Sequence, residues 1–159
     1  MFATEAGISG PVMIDTTVYI HVAQAKAPQG VLATLAGGGP VLHSAVCLSE
    51  IAYSLGRLDP RHPRTPSRRG VLAEILRNAP DYRCYAPRVD DWVGAGVLSG
   101  LAARLLGVGA QDERRLLNDG LILFTARRLG ATVLTANIGD FDALTQLVPD
   151  VKAAFYRAR

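Results

Sequence analysis

An apolar run that ends on an acid and then turns helical, Val12-Met13-Ile14-Asp15-Thr16-Thr17-Val18-Tyr19-Ile20, constrains this chain most. A short aliphatic run of this kind reads as a buried strand, and the change of pattern after Asp15 reads as that strand feeding a helix. In an open α/β sheet such a junction delivers the acid to the carboxyl end of the strand, where ligands collect. The rest of the chain is then read for further acids that reach the same edge.

At 159 residues the chain has the length of one domain, expected to span 1–159. It can bury about 68–70% of the surface its unfolded form exposes, so a core needs neither disulfide nor structural metal. Hydrophobic residues make up 49% and charged ones 19%, which excludes general disorder. A net charge of +3 and a pI near 9.1 suit an acidic partner such as nucleic acid, and equally suit a merely basic soluble protein. Cys47 and Cys84 stand in apolar surroundings without C-x-x-C spacing, as buried free thiols in a reducing cytoplasm do. Residues 1–10 carry Glu5 and no basic residue, unlike a secretory signal. The uncharged run at 93–103 is too short and too glycine-rich to span a bilayer. A cytoplasmic protein away from membranes is expected.

Further along, the pattern predicts helices over 16–24 and 29–36, a strand at 41–43, and a helix over 45–55 capped by Ser44. Residues 57–69 hold three prolines, five arginines and His62, with Asp59 the single acid, and read as a solvated connection. Ser67 is placed to cap a helix that runs through Asn78. A strand at 82–86 stops at Pro87, and Asp90 or Asp91 is placed to cap a helix over 92–106. Asp112 opens a helix through Leu129, which ends in Arg127-Arg128 and Gly130 as helix dipole and left-handed cap favour. Strands at 131–135 and 152–156 bracket a loop at 137–142 that enters a short helix. Five short strands alternating with helices argue for an α/β fold, a mainly parallel sheet covered on both faces.

Four acids fall where this architecture exposes one end of the sheet: Asp15, Glu50, Asp119 and Asp140. Each has a plainer role open to it. Asp15 is a good helix cap, worth about 1 kcal/mol; Glu50 is a single glutamate on a helix; Asp140 and Asp142 both suit a cap. Asp119 resists such dismissal, because Leu116, Leu117, Leu121, Ile122, Leu123 and Phe124 surround it and an acid in apolar company needs compensation. Clustered carboxylates shift their pKa upward or bind a cation, and a hard divalent ion such as Mg²⁺ or Mn²⁺ prefers such oxygen donors. Such an ion activates water and steadies charge on a phosphoryl oxygen, the two needs of phosphodiester hydrolysis.

These blocks resemble the PIN-domain nucleases, and in particular the VapC-type toxins of toxin–antitoxin pairs. The resemblance rests on Ile14-Asp15-Thr16 with Val18 and Ile20, on Ser44-Ala-Val-x-Leu-Ser-Glu50-Ile, on Asn118-Asp119-Gly-Leu-Ile122 followed by Ala126-x-x-Leu-Gly130-Ala131, and on Thr135-x-Asn137-x-x-Asp140-Phe141. It covers about residues 13–144, with the four blocks in family order. It implies a Rossmann-like PIN fold with a five-stranded sheet, a Mg²⁺- or Mn²⁺-dependent endoribonuclease acting on RNA, a homodimer, and inhibition by a VapB-like antitoxin. Asp15, Glu50, Asp119 and Asp140 would then form the catalytic metal site, Thr16 and Thr135 would support it, and Asn137 would be a polar neighbour. Whether Asp140, Asn137 or Asp142 completes the site is open. Gly120 departs from the alanine many relatives carry after the third acid.

Arg57, Arg61, Arg64, Arg68 and Arg69 are candidates for meeting RNA phosphates or an acidic antitoxin surface, and a solvated loop without that role fits them too. Gly94-Ala-Gly96-Val-Leu-Ser-Gly100 lacks dinucleotide-binding spacing and reads as close helix packing. His21, His43 and His62 have no zinc-ligand spacing. Trp92, Leu98, Leu101 and Leu105 suggest a core-facing helix stripe and a dimer face. An aspartyl-nucleophile phosphatase would need a second aspartate where Thr17 stands. The remaining rival is a PIN-like module that binds RNA or protein without turnover.

Overall fold

The computed structural model describes residues 8–37, 39–107, 110–148 and 150–159. In chain order it runs β1 (Val12–Ile14), α1 (Thr16–Ala23), α2 (Gln29–Ala36), β2 (Val41–Ser44), α3 (Ala45–Gly56), α4 (Thr65–Asn78), a 3-10 turn (Asp81–Arg83), β3 (Cys84–Tyr85), α5 (Val89–Leu106), α6 (Ala110–Arg128), β4 (Thr132–Thr135), α7 (Ile138–Leu147) and β5 (Lys152–Phe155). The sheet order is β3-β2-β1-β4-β5 and every neighbouring pair is parallel. The expected mainly parallel sheet is therefore parallel throughout.

Met13 pairs with Leu42 on one side and Val133 on the other, so β1 is the centre of the sheet. All residues of β1 and β4 are buried, as strands covered on both faces must be. Right-handed crossovers send α1–α4 to one face and α5–α7 to the other, because the chain steps from β1 through β2 to β3 and then crosses back past β1 to β4 and β5. Packing of α3 on α4 and of α5 on α6 and α7 agrees with that division. That return leaves a switch point between β1 and β4, and in an open α/β sheet the ground outside the carboxyl ends of such strands is where ligands bind. Among the described residues no helix is long and apolar enough to cross a membrane.

Several expected boundaries move, each for a local reason. Helix α4 starts at Thr65 and not after Ser67, because Pro66 sits in its first turn, where a missing N–H costs nothing. Arg68 and Arg69 are therefore helical. The strand expected at 82–86 shrinks to Cys84–Tyr85, since Arg83 N–H bonds Pro80 O and closes a 3-10 turn ahead of it. Helix α5 starts at Val89, and neither Asp90 nor Asp91 is its cap; Asp91 reaches back to accept the Arg88 N–H at 2.8 Å. The loop expected at 137–142 is already the start of α7, where Thr135 Oγ1 accepts the Asn137 N–H at 2.9 Å.

The stripe expected to bury Trp92 and Leu105 is also corrected: they are 51% and 59% exposed. Helix α5 instead faces the core with Asp91, Ala95, Leu98, Ser99 and Ala102. Small residues prevail there because α6 comes close. A Cβ on Gly120 would stand 3.2 Å from Ala95 Cβ, and one on Gly94 would stand 2.7 Å from the Phe124 ring. An added methyl is tight at Gly120 but meets the aromatic ring outright at Gly94. Of the glycine series only Gly94 is pressed, with open space above Gly96 and Gly100.

Candidate functional site

Strand β1 delivers Asp15 to the switch point, where it is buried. Its backbone N–H extends the ladder to Leu134 O at 3.0 Å. Asp15 Oδ2 accepts the Thr17 N–H at 3.3 Å, the Thr17 hydroxyl at 2.7 Å and the Thr135 hydroxyl at 2.8 Å. The Thr17 oxygen also accepts the Ala136 N–H at 3.0 Å. Capping α1 and standing at the switch point are thus one position, and β1 is tied there to β4.

Glu50, half-buried on α3, accepts the Thr16 hydroxyl on Oε2 at 2.6 Å and the Asn118 amide on Oε1 at 2.7 Å. Asp119, on the neighbouring turn of α6, is only 5% exposed. One amide spans the next two acids: Asn137 Nδ2 donates to Asp119 Oδ2 at 3.2 Å and to Asp140 Oδ2 at 2.9 Å. Arg115 Nε donates to the same Asp140 oxygen at 3.0 Å. Asp142 does not reach the group; it is exposed and accepts the Gln146 amide one turn on.

Electrostatics join the four. The Asp119 carboxyl is raised to about 9, chiefly by burial and then by the charges of Asp15, Asp140 and Glu50, with Arg115 opposing them. That is the behaviour of an acid crowded by like charge away from water. Tyr156, just beyond β5, is raised to about 12, chiefly by burial, with a hydrogen bond shared with Thr17 pulling the other way. Cys47 beneath the site donates weakly to Ile14 O, and burial raises its thiol well above the usual range. It is an inert core thiol.

As donors the four acids suit a hard cation, all oxygen and net negative. Among the described residues, however, no three His, Cys, Asp or Glu side chains are gathered as a ready metal cage. Asn118, Asn137, Arg115 and the threonines hold the carboxylates instead. The three histidines serve elsewhere: His43 Nδ1 meets the Tyr19 hydroxyl at 2.6 Å, His21 meets Tyr156 at 3.0 Å, and His62 accepts the Arg64 N–H.

Of the five arginines singled out, all exposed, Arg57 is the one that stands over the ring of Tyr53, a residue that lines a cavity with Glu50. The cations nearest the acids were not anticipated. Arg114 and Arg115 line a cavity of about 310 Å³ with Ser49, Glu50, Tyr53 and Asn118. Helical spacing carried the signal, since Arg115 precedes Asp119 by four residues and so shares its face. Thr17 was missed as a support in the same way, its role depending on β4. A larger apolar cleft, about 560 Å³ between α1, β2 and α4, contains none of the acids.

No protein-family model matches the chain, and no curated protein sequence does. Solved structures do. A chain of VapBC2 from Rickettsia felis, crystallised with a promoter DNA fragment, is 18% identical with a TM-score of 0.61, covering 92% of this chain and 98% of that one. FitAcB from Neisseria gonorrhoeae gives 20%, 0.62, 90% and 96% on the same measures. VapBC-5 from Mycobacterium tuberculosis, of the VapBC family of toxin–antitoxin systems, gives 18%, 0.61, 92% and 99%. Likeness at this level of identity speaks for architecture, and on it the chain has a PIN fold, shared over nearly its whole length with chains of VapBC and FitAcB structures.

Proposed function

We propose that this protein is a VapC-like toxin: a Mg²⁺- or Mn²⁺-dependent endoribonuclease that hydrolyses RNA phosphodiester bonds. The observation that carries the reading is that Asp15, Asp140 and Glu50 all act on the buried Asp119, whose carboxyl burial and their charges together raise to about 9, while Asn137 bridges Asp119 and Asp140. A divalent ion bound there would supply an activated water and charge neutralisation at the phosphoryl oxygens. Asp15 and Asp119 are the buried donors, and Asp15 is aimed by Thr17 and Thr135. Glu50, held by Thr16 and Asn118, and Asp140, held by Asn137 and Arg115, flank them. Arg114 and Arg115 are placed to attract an RNA phosphate into that negative edge.

The similar folds in VapBC structures support a small VapB-like antitoxin as partner. The exposed Val89, Val93 and Val97 of α5 support a homodimer, since water-facing apolar strips of this kind mark contact surfaces. The deciding experiment incubates purified protein with RNA in Mn²⁺. Cleavage is expected, with at least about a hundredfold loss in Asp15→Asn and Asp119→Asn and none remaining in EDTA. Cleavage that persists in either variant or in EDTA overturns the reading. Absence of both cleavage and calorimetric Mn²⁺ binding would make the protein a binding module.

A further inference from the structure

We propose that Tyr53, with Arg57 and Arg114 over its ring, is a subsite for one unstacked base of a single-stranded RNA, beside the acids; this rests on the ribonuclease reading. Tyr53 follows Glu50 by one turn on α3 and is 54% exposed. It takes no part in the apolar core. The guanidinium carbon of Arg57 lies 5.7 Å from the ring centroid and that of Arg114 lies 5.6 Å away. One cation comes from the end of α3 and the other from α6, so two elements converge on a ring that neither uses for packing.

The ring also joins two hollows. It lines the cavity shared by Glu50, Arg114, Arg115 and Asn118, and it lines a cleft between α1, α3 and α4 that carries Arg57 and Arg68. A strand leaving the acids therefore meets cation, aromatic and cation in succession. That order fits phosphate, base and phosphate. Every base offers a π-face, and its stack on an aromatic ring is stronger than an exposed cation–π contact. An incoming base displaces a guanidinium from Tyr53, and the released arginine pairs with the adjoining phosphate by parallel N–H donors. A duplex keeps its bases stacked on one another, so the subsite selects unpaired RNA. Tyr53 acts as a positioning residue: it fixes how far along the strand the next phosphodiester lies from the acids.

The test measures binding of fluorescein-labelled 12-mers of uridylate and adenylate by anisotropy in EDTA, and their cleavage in Mn²⁺. Tyr53→Leu should weaken binding roughly tenfold and Tyr53→Trp should preserve it. In cleavage the loss should appear mainly in KM. A 12-mer with abasic sugars should bind the wild type and Tyr53→Leu alike. Tyr82→Leu is the control: Tyr82 is 76% exposed with Arg83 over its ring at 5.5 Å, but it precedes β3 at the amino end of the sheet, opposite the acids. Its binding should match the wild type. Equal binding by Tyr53→Leu and wild type, or equal losses at Tyr53 and Tyr82, overturns the subsite. RNA binding that depends on Tyr53 without any cleavage would sink the nuclease reading and leave the subsite standing.

Discussion

Asp119 concentrates the site's electrostatic tension. Its folded value of about 9 lies above the ordinary aspartate value of about 3.9, so the folded chain keeps a proton that the unfolded chain gives up. Stability from that proton is complete below about pH 4 and drains away as pH rises toward 9. In EDTA, calorimetric Tm should therefore fall between pH 5 and pH 8, and Asp119→Asn should flatten the slope. At neutral pH the asparagine variant should be the more stable form, by on the order of 2–4 kcal/mol. Mn²⁺ should raise the wild-type Tm and leave the variant nearly unmoved. Parallel slopes for the two proteins would show that Asp119 is not under this strain. Asp15 and Asp119 were readable from the sequence because an acid at a strand end and an acid inside an apolar helix both break the local pattern. The spacing of four residues put Arg115 on the face of Asp119, but its pairing with Asp140 was not readable, because α7 brings that acid alongside and no local pattern reports it.

At the level of elements, the pairing of α5 with α6 carries the most specific demands. Gly94→Ala puts a methyl group into the Phe124 ring and should cost about 1–3 kcal/mol despite alanine's better helix propensity. Phe124→Leu in the same chain should recover part of that loss. Gly100→Ala meets nothing and should stabilise by up to about 1 kcal/mol. Urea melts of the four proteins would check the set, and equal effects at the two glycines would contradict the packing. The same interface holds Asp91 against Arg128 at 2.9 Å, with Asp91 also closing the first turn of α5. Arg128→Ala leaves that carboxylate without its cation and should cost about 3 kcal/mol by the same melts. Most helices and strands were visible in the sequence through periodicity, and of the stripe read on α5 Leu98 does turn inward while Trp92 and Leu105 do not. Trp92 and Leu105 are larger and more apolar than Ala95 and Ala102, yet the close approach of α6 admits only the small side chains.

For the molecule as a whole, strand order decides where chemistry can sit. The sequence announced alternating strands and helices, and with them a parallel sheet; the switch point became visible only once β4 was seen to pair beside β1. With α5 presenting Val89, Val93 and Val97 to water, Val93→Glu with Val97→Glu should shift sedimentation from dimer to monomer and leave the far-UV spectrum unchanged. A monomeric wild type would remove that surface from the account.

The outer strand beside β2 has a consequence of its own. Only Cys84 and Tyr85 form that rung, with Pro80 before it and Pro87 after it. A rim so short offers a foreign strand almost no ladder to extend, which is how natural sheets avoid growing into fibrils. Crowding of many copies should therefore end, on that side, in discrete helix-mediated assemblies and not in open-ended stacking.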